Sequence, residues 1–362
     1  MNHDRPEVEF RPLVFPASVD ADDAADFLEM MRVRNIAYAE LRPYSYDSMA
    51  PEELLPHYQP DEHELRLMWL VVLDGEVIGR VGVDIPFEDD SRNAYWSIEI
   101  RPAFWGRGIA DAAHELIERT ARDHGRTVLM SWAERPESEG PRLDAPTGFG
   151  SVVADDPVTR FYLRHGYTLE QVDRSSHLEL SGIRPRLEAL LAEARAAAEG
   201  YRVVQWVLPT PPEFLDSYAV MKSRMSTDAP SADLEIEEQV WDAARVADHN
   251  QRYLDGGLTM QVTAAQHIAT GELVAFNELV ASGDLTAPTH QEDTLVLKEH
   301  RGHRLGMLVK CAGLLAWLDV VPDSPRVLTE NAEENRPMLD INEAIGFVPI
   351  AHQGAWKKVL DD

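Results

Sequence analysis

The sequence predicts an α/β protein in which one fold occurs twice along the chain. A length of 362 residues is too long for one ordinary core and suits two domains of roughly 150 to 200 residues. The predicted order of strands and helices begins again near Tyr201. We therefore expect an N-terminal domain at residues 1–182, a helical linker at 183–200 and a C-terminal domain at 201–362.

Hydrophobic periodicity and turn residues predict the elements of the first half. Apolar runs at 67–73 and 77–83 flank an Asp-Gly turn, which is typical of a β-hairpin. Gly166 is expected to end a helix in a left-handed cap. A Pro- and Gly-rich loop is expected at 134–155. The predicted order is strand 8–15, helix 22–41, a short acidic helix after residue 51, strands 67–73, 77–83 and 93–100, helix 108–123, strand 127–132, helix 157–165 and strand 168–180.

The second half repeats this order after the linker, which is predicted from Pro185, an Ala-rich stretch and a stop at Gly200. The predicted elements are strand 203–207, helices 212–225 and 236–253, strands 259–270, 273–280 and 295–297, helix 305–317, strand 326–330, a helix ending at Gly346 and strand 356–359. Two landmarks share an offset of 196: 75–79 with 271–275, and 105–110 with 301–306. A constant offset indicates an internal duplication.

Composition excludes several classes of protein. The formal net charge is −29, with −17 in residues 1–200 and −12 in the rest. This spread of acidity argues against a protein that grips the nucleic-acid backbone. A single cysteine, Cys311, excludes a disulfide scaffold; we expect it to be a buried small hydrophobe, with a reactive thiol as the alternative. The histidines have no ligand-like spacing, so no metal site is expected.

The N-terminal residues and the lengths of the apolar runs suggest no association with a membrane. The first residues include Asp4, Glu7 and Glu9 and do not show the basic residues followed by an apolar run that are typical of a secretory leader. No uncharged apolar stretch approaches about 18 residues. We therefore expect a cytoplasmic protein, and an oligomer is possible.

Two segments lead from a strand through small residues into a helix, at 98–111 and 295–308. Such a turn exposes unpaired backbone N–H groups at the positive end of a helix dipole, which suits an anion such as a pyrophosphate. Neither segment contains Gly-x-x-x-x-Gly-Lys-Ser/Thr or Gly-x-Gly-x-x-Gly. A tight turn without a ligand is the alternative interpretation.

These segments resemble the pyrophosphate loop of the GNAT acyltransferase superfamily, Gln/Arg-x-x-Gly-x-Gly/Ala. The first copy reads Trp105-x-x-Gly108-x-Ala110 and the second reads Arg301-x-x-Arg304-x-Gly306, so that each departs once from the pattern. The superfamily also has a helical Tyr four residues before a Gly-aromatic pair. The first copy has Tyr162 before Gly166-Tyr167, and the second has Asn342 before Gly346-Phe347. The resemblance covers nearly the whole chain, in a tandem arrangement similar to that of mycothiol synthase.

The resemblance implies two GNAT-like domains, each with a mixed, mostly antiparallel sheet flanked by helices. It also implies acyl transfer from acetyl-CoA, or another short acyl-CoA, to an amine by direct attack in a ternary complex. Pantetheine lies between the splayed fourth and fifth strands of this family and pairs with the fourth. The cofactor-binding residues so implied are Ile98, Ile100, Trp105, Gly106, Arg107, Gly108, Ile109 and Ala110 in the first copy, and Val296, Leu297, Arg301, Gly302, His303, Arg304, Leu305, Gly306 and Asn335 in the second.

In the first copy, the resemblance suggests Tyr162 as the proton donor to the leaving thiolate and Glu99 as the proton acceptor. The alternatives are a core-edge tyrosine and a solvated strand residue. In the second copy Asn342 replaces the tyrosine, and an amide cannot give up a proton at useful pH. Candidate bases there are Glu278 and Asp293, with His300 beside the loop.

Arg301 and Arg304 form a basic island in an acidic chain, which suits the phosphates of CoA; solvated surface arginines are the alternative. These arginines favour the C-terminal copy for CoA binding, whereas Tyr162 favours the first copy for chemistry. We expect a small-molecule primary amine as acceptor, and the acidity of the chain favours a cationic one such as a polyamine, aminoglycoside or amino-sugar. A non-catalytic acyl-CoA-binding or interaction protein with degenerate sites is the alternative.

Overall fold

The computed structural model describes residues 8–42, 48–88 and 91–361, which form two compact units. The first unit comprises the chain up to Val172, residues 233–235 and the chain from His352 onward. The second comprises Asp173–Ala232 and Ile236–Ala351. The acidic residues Asp4 and Glu7 lie outside the described residues.

The first half of the chain contains both strands and helices. The elements are β1 (Val8–Pro12), α1 (Ala25–Leu41), α2 (Pro51–Tyr58), β2 (Glu64–Leu73), β3 (Glu76–Pro86), β4 (Asn93–Ile100), α3 (Ile109–Asp123), β5 (Val128–Pro136), β6 (Arg142–Asp144), β7 (Ser151–Val153), α4 (Pro157–Arg164) and β8 (Thr168–Glu179).

The second half contains a similar succession of elements. Its elements are α5 (Arg184–Ala197), β9 (Tyr201–Val207), α6 (Leu215–Asp228), α7 (Ala243–Asp255), β10 (Thr259–His267), β11 (Leu273–Ala281), β12 (Thr289–Val296), α8 (Leu305–Val320), β13 (Arg326–Ala332), α9 (Arg336–Ile345) and β14 (Val348–Val359).

The strands of the first unit lie in the order β1-β2-β3-β4-β5-β14-β8. Strands β1 to β4 pair antiparallel, whereas β4 and β5 are parallel. Side chains of a strand alternate between its faces. Leu70 and Val72 accordingly join the apolar core beneath α1, and Val71 and Leu73 join the core that includes α3. The sheet is therefore covered by helices on both faces.

The strands of the second unit lie in the order β8-β13-β12-β11-β10-β9. Here β12 and β13 are the parallel pair. Helix α5 packs against α8, and its side chains Leu187, Leu191 and Ala194 are buried in the core of this unit. The predicted linker is thus helical, and it forms part of the second unit.

The internal duplication is confirmed. Strand β12 begins and ends 196 residues after β4 does, and α8 begins 196 residues after α3. Both copies place a short 3₁₀ turn between strand and helix, at Pro102–Phe104 and Lys298–His300. The mixed, mostly antiparallel sheets with flanking helices agree with the predicted fold class.

The unit boundaries differ from the predicted ones. The last strand, expected to complete the C-terminal copy, contributes His352–Val359 to the first unit, and β8 contributes residues from Asp173 onward to the second. Within the first unit, Trp356 stacks on Tyr162 with ring centroids 4.7 Å apart. This assignment depends on tertiary pairing, which a local sequence pattern does not reveal.

Three elements also differ in extent. Strand β12 starts at Thr289, earlier than the predicted 295, because the polar residues 290–293 hid its alternation. Helix α7 starts at Ala243 and not at 236. The loop predicted at 134–155 contains the end of β5 and the hairpin of β6 and β7, whose three-residue strands are too short for a periodic signal. Among the described residues, no helix is long and apolar enough to cross a membrane.

Candidate active site

The glycine turn of the first unit joins β4 to α3. Gly106 and Gly108 have φ angles of 74° and 76°, in the left-handed region that favours glycine. A Cβ atom built at either position meets no atom within 4 Å, so both glycines face open space. Ile109 begins α3 directly after the turn, and Ala110 follows in its first turn. The turn therefore presents small residues and helix N-terminal N–H groups to an open site.

Strands β4 and β5 separate beside this turn. Their parallel register covers only Asn93–Tyr95 with Val128–Met130. Beyond it, the residues of both strands line a cavity of about 710 Å³. Its wall includes Ile98, Glu99, Ile100, Trp105, Gly106, Gly108, Ile109, Ala110, Ser131, Glu134, Tyr162, Arg164, Tyr38 and Arg42. The structure thus brings most of the predicted first-copy residues into one site.

Tyr162 lies in this cavity at the end of α4. Its side chain is buried, stacks on Trp356 and shares a hydrogen bond of 2.9 Å with the Ser131 hydroxyl. Burial raises the pKa of Tyr162 above its ordinary value of 10, and the Ser131 hydrogen bond opposes this only in part. The phenol therefore keeps its proton throughout the neutral range.

Glu99 faces α1 from the middle of a buried hydrogen-bonded cluster. Arg80 donates from Nε to one carboxylate oxygen and from Nη2, over 2.9 Å, to the other, and Tyr38 donates its hydroxyl hydrogen over 2.6 Å. Burial acts to raise the pKa of Glu99, but Arg80 and Tyr38 outweigh it and lower that pKa to about 2. Glu99 is thus neither a solvated strand residue nor a carboxylate poised to take up a proton near neutral pH.

The second turn has the same backbone shape as the first. Gly302 has a φ of 90°, and Arg304, which takes the place of Gly108, has a φ of 55°. The guanidinium groups of this turn contact protein: Arg304 pairs with Glu193 at 3.1 Å, and Arg301 donates to the carbonyls of Val296 and Asp228. His300 pairs with the Tyr201 hydroxyl at 2.9 Å, and the ring of His303 also lies beside Tyr201.

Residues around the second turn are packed against one another. A Cβ built on Gly306 would lie 2.8 Å from Ile341 Cδ1, the end of a flexible side chain, so Ile341 packs closely over this glycine. Asn342, the counterpart of Tyr162, is buried; it accepts from Lys310 over 2.7 Å and donates to Asn331 over 2.6 Å. Leu297 and Leu305 are buried in the apolar core, and Asn335 is the N-cap residue of α9.

The two predicted bases of the second copy lie in one ion-pair cluster. Lys222 of α6 donates to Glu278 over 3.2 Å and to Asp293 over 2.6 Å, and the Tyr218 hydroxyl donates to Glu278. Burial raises the pKa of Glu278 to about 7, and the Lys222 ammonium opposes that rise. Asp293 lies in the middle of β12, not at its entry. Both carboxylates are therefore held by an internal ammonium group.

Several residues of the first site were not predicted from the sequence. These are Tyr38, Arg42, Arg80, Ser131, Glu134 and Trp356. A signal existed for Arg80, which lies directly opposite Glu99 in the antiparallel register of β3 and β4. Glu134 was assigned to a loop, although β5 continues to Pro136. Tyr38 and Arg42 reach the cavity from α1 and the residue following it, through tertiary packing.

Comparison with known proteins supports the fold and the family resemblance. Residues 31–139 match the Acetyltransferase (GNAT) family. A tandem GNAT protein from the clavulanic acid biosynthesis pathway, solved without AcCoA, shares 25% sequence identity, with 98% of this chain and 99% of that chain covered and a TM-score of 0.73. A GCN5-related N-acetyltransferase from Sphaerobacter thermophilus shares 16% identity, with 99% and 97% covered and a TM-score of 0.61. Among curated proteins, none matches the sequence significantly.

The first half of the chain therefore contains a segment that matches the GNAT acetyltransferase family, and the chain as a whole has the fold of a tandem GNAT protein. The matched segment contains the glycine turn and most of the cavity wall contributed by β4 and β5. The domain match thus covers part of the cavity wall, whereas α4 with Tyr162 lies outside the matched segment.

Proposed function

We propose that this protein transfers an acetyl or other short acyl group from acyl-CoA to a primary amine of a small molecule, and that the first unit performs the transfer. One observation carries this proposal: a single cavity runs between the separated strands β4 and β5 and reaches both the open glycine turn and the buried Tyr162 hydroxyl. One site can therefore both bind an anion, at the turn, and donate a proton, from Tyr162.

The residues around the turn fit the phosphates of CoA. The backbone from Gly106 to Ala110 presents N–H groups at the N-terminus of α3, where no Cβ atom of Gly106 or Gly108 obstructs approach. Arg107 is exposed and has no carboxylate partner among the described residues. The β4 backbone from Ile98 to Ile100 would hold the pantetheine arm along the cavity wall.

Acyl-CoA supplies the activated thioester, so that a C–N bond forms to the amine while the C–S bond breaks and its electron pair goes to sulfur. Tyr162 holds a proton at its phenolic oxygen for that sulfur. Ser131 lies 2.9 Å from this oxygen and orients the hydroxyl group. Stacking on Trp356 fixes the plane of the tyrosine ring.

Glu99 takes a different role from the predicted proton acceptor. Because Arg80 and Tyr38 already engage both carboxylate oxygens, Glu99 has little affinity for an additional proton. We assign it as a positioning residue that fixes Tyr38 and the β4 wall of the cavity. The proton lost by the amine then leaves through another carboxylate or through water.

The second unit is assigned a supporting role, in contrast to the expectation that its basic turn binds CoA. Arg301 and Arg304 already have protein partners, and Asn342 is tied to Lys310 and Asn331. These contacts account for the basic island without a phosphate. The arginine at position 304 and the packing of Ile341 against Gly306 also leave less room at this turn than at the first.

The duplication offers a matched test of this assignment. Gly106→Asp and Gly302→Asp place the same charge at equivalent left-handed positions of the two copies. We expect Gly106→Asp to abolish acetyl-CoA binding in calorimetry, because a carboxylate there repels the phosphates, and Gly302→Asp to leave binding unchanged. The reverse result would move the CoA site to the second unit.

Transfer itself is measured by the release of free thiol from acetyl-CoA with a panel of amines. The only cysteine, Cys311, is fully buried, so thiol reagents report on CoA. Amine-dependent release supports the proposal. Binding of acetyl-CoA without release in the presence of any amine would instead identify an acyl-CoA-binding protein.

A further inference from the structure

The two faces of β5 serve different ends of the cavity. Ser131 points toward α4, where it contacts Tyr162. Glu134, three residues later, lies on the alternate face of the strand, where it approaches Arg42 beside the end of α1. Glu134 and Arg42 both line the cavity. The α1 side of the cavity, which we call the acceptor side, is therefore formed by a carboxylate and a guanidinium group in addition to the Glu99 cluster.

Arg42 and Glu134 form a spaced ion pair. Arg42 Nη1 lies 3.7 Å from Glu134 Oε1, which exceeds hydrogen-bond distance. The Glu134 side chain is only 2% exposed and that of Arg42 is 20% exposed, so their charges interact in a largely dry environment. The Arg42 guanidinium also lies 4.3 Å from the centroid of the Tyr38 ring, which holds it at the cavity wall.

The acceptor side does not share the strongly negative net charge of the whole chain. Arg80 balances Glu99, and Arg42 balances Glu134. Among the described residues of this side, each of these two carboxylates therefore has a guanidinium group beside it, although the whole chain carries a net charge of −29. A polycation gains little from such a surface, since local charge decides recognition at short range.

We propose that the acceptor bears a carboxylate next to its primary amine, as an α-amino acid does, with Glu134 binding the ammonium and Arg42 the carboxylate. This inference rests on the proposed function and replaces the polyamine-like acceptor suggested by net charge. An α-amino acid carries its opposite charges about as far apart as Arg42 and Glu134 are from each other. When the amino acid binds, its ammonium and carboxylate groups replace the Arg42–Glu134 contact by two contacts with the acceptor. Each of these is a charge-assisted hydrogen bond.

The test compares acceptors that differ only in the carboxylate. The matched pairs are lysine with 1,5-diaminopentane, phenylalanine with 2-phenylethylamine, and alanine with ethylamine; spermidine represents polyamines. Thiol release from acetyl-CoA is measured with the full-length protein. We expect kcat/KM to be about 10- to 100-fold higher for each amino acid than for its decarboxylated partner, as expected for loss of one charged hydrogen bond.

Variants assign the preference to residues. Arg42→Gln should raise KM for the amino acids by about 10- to 100-fold more than it raises KM for the decarboxylated amines, and Arg42→Lys should restore part of the preference. Glu134→Gln should lower kcat/KM for every amine. Arg32→Gln, an exposed arginine of α1 that pairs with Glu29, is the matched control and should change nothing. Acetyl-CoA binding by calorimetry shows that each variant retains its folded site.

The outcomes separate this inference from the proposed function. Efficient transfer to simple amines or spermidine without preference for the amino acids would overturn the inference and leave the proposed function standing. An equal loss for both members of each pair in Arg42→Gln would also overturn it. If acetyl-CoA binds and no amine releases thiol, the proposed function fails, and the inference fails with it.

Discussion

Trp105 and Arg301, which occupy equivalent positions in the two copies, donate a hydrogen bond to the same backbone position of their respective strands. Trp105 Nε1 donates to the Ile100 carbonyl over 2.7 Å, and Arg301 Nε donates to the Val296 carbonyl over 3.2 Å. Each bond ties the glycine turn to the last carbonyl of the strand before it. Trp105, which departs from the family pattern in sequence, therefore preserves the contact that an arginine makes at this position.

This equivalence predicts which substitutions of Trp105 are tolerated. Trp105→Phe keeps an aromatic ring but removes the donor, and we expect acetyl-CoA affinity to fall about fivefold, for a net hydrogen-bond contribution of about 1 kcal/mol. Trp105→Arg restores a donor and should bind acetyl-CoA more tightly than Trp105→Phe does. Titration calorimetry measures both. Equal affinity of the two variants would show that the N–H group of Trp105 does not hold the turn.

Tyr162→Phe should lower kcat by the roughly 10²–10⁴-fold typical of general acid catalysis, with acetyl-CoA affinity little changed. The matched control is Tyr167→Phe. Tyr167 is also buried and pairs with His114 at 3.0 Å, but it does not line the cavity. Because burial raises the pKa of Tyr162, the wild-type rate should show no loss from deprotonation of this phenol up to pH 10. Similar kcat values for the two variants would remove Tyr162 from the proposed mechanism.

Local patterns were sufficient to predict the parts of the site that are close in sequence. Strand β4, the glycine turn and α3 follow one another directly, and alternation and glycine placement reveal each of them. The helix that carries Tyr162 ends, as predicted, just before Gly166, whose φ is 80°. The resemblance to the GNAT superfamily joined these separate segments into one fold.

Side chains that meet only in the folded protein were harder to predict. The sequence suggests phosphate contacts for Arg301 and Arg304 because it does not show their partners, the Asp228 carbonyl and the Glu193 carboxylate. The polar residues near the end of β5 resemble a loop in the sequence, which conceals the position of Glu134 on a strand. The contribution of Trp356 to the first unit depends on where β14 pairs, and no local signal reports pairing between strands that are so far apart in the sequence.

The Arg80–Glu99 pair predicts a defined pH dependence of stability. The folded pKa of Glu99 is about 2, below its ordinary value of 4.5, so its stabilising contribution is fully present above about pH 4.5 and is lost as the pH falls toward 2. The advantage of wild type over Glu99→Gln in the free energy of unfolding should shrink by on the order of 3 kcal/mol over this range. Urea titrations at several pH values measure it.

The control for this measurement is Glu62→Gln, which removes an exposed carboxylate and should show no comparable pH dependence. A second variant tests the other partner. Arg80→Met leaves the Glu99 carboxylate buried without its guanidinium, and we expect a loss of about 3–5 kcal/mol in the free energy of unfolding at pH 7. A pH-independent difference between wild type and Glu99→Gln would contradict the low pKa.

Lys310 predicts a pH dependence of the opposite kind. It occupies in α8 the position that His114 occupies in α3 of the first copy, and it is fully buried against Asn342. Burial lowers the pKa of Lys310 from 10.5 to about 7. Between about pH 7 and pH 10.5, Lys310 is protonated in the unfolded chain and neutral in the folded protein. The free energy of unfolding therefore rises with pH over this range.

We therefore expect the free energy of unfolding of wild type to rise relative to Lys310→Met between pH 7 and pH 10, by a few kcal/mol as judged from urea titrations. Lys310→Met also leaves the Asn342 amide oxygen without this donor, which lowers stability at every pH but adds no slope. Lys298→Met, at an exposed lysine, is the control and should show no such rise. A constant difference between wild type and Lys310→Met across this range would mean that Lys310 stays protonated in the folded protein. Its ammonium would then be a fixed charge in the second unit that donates to the Asn342 amide oxygen.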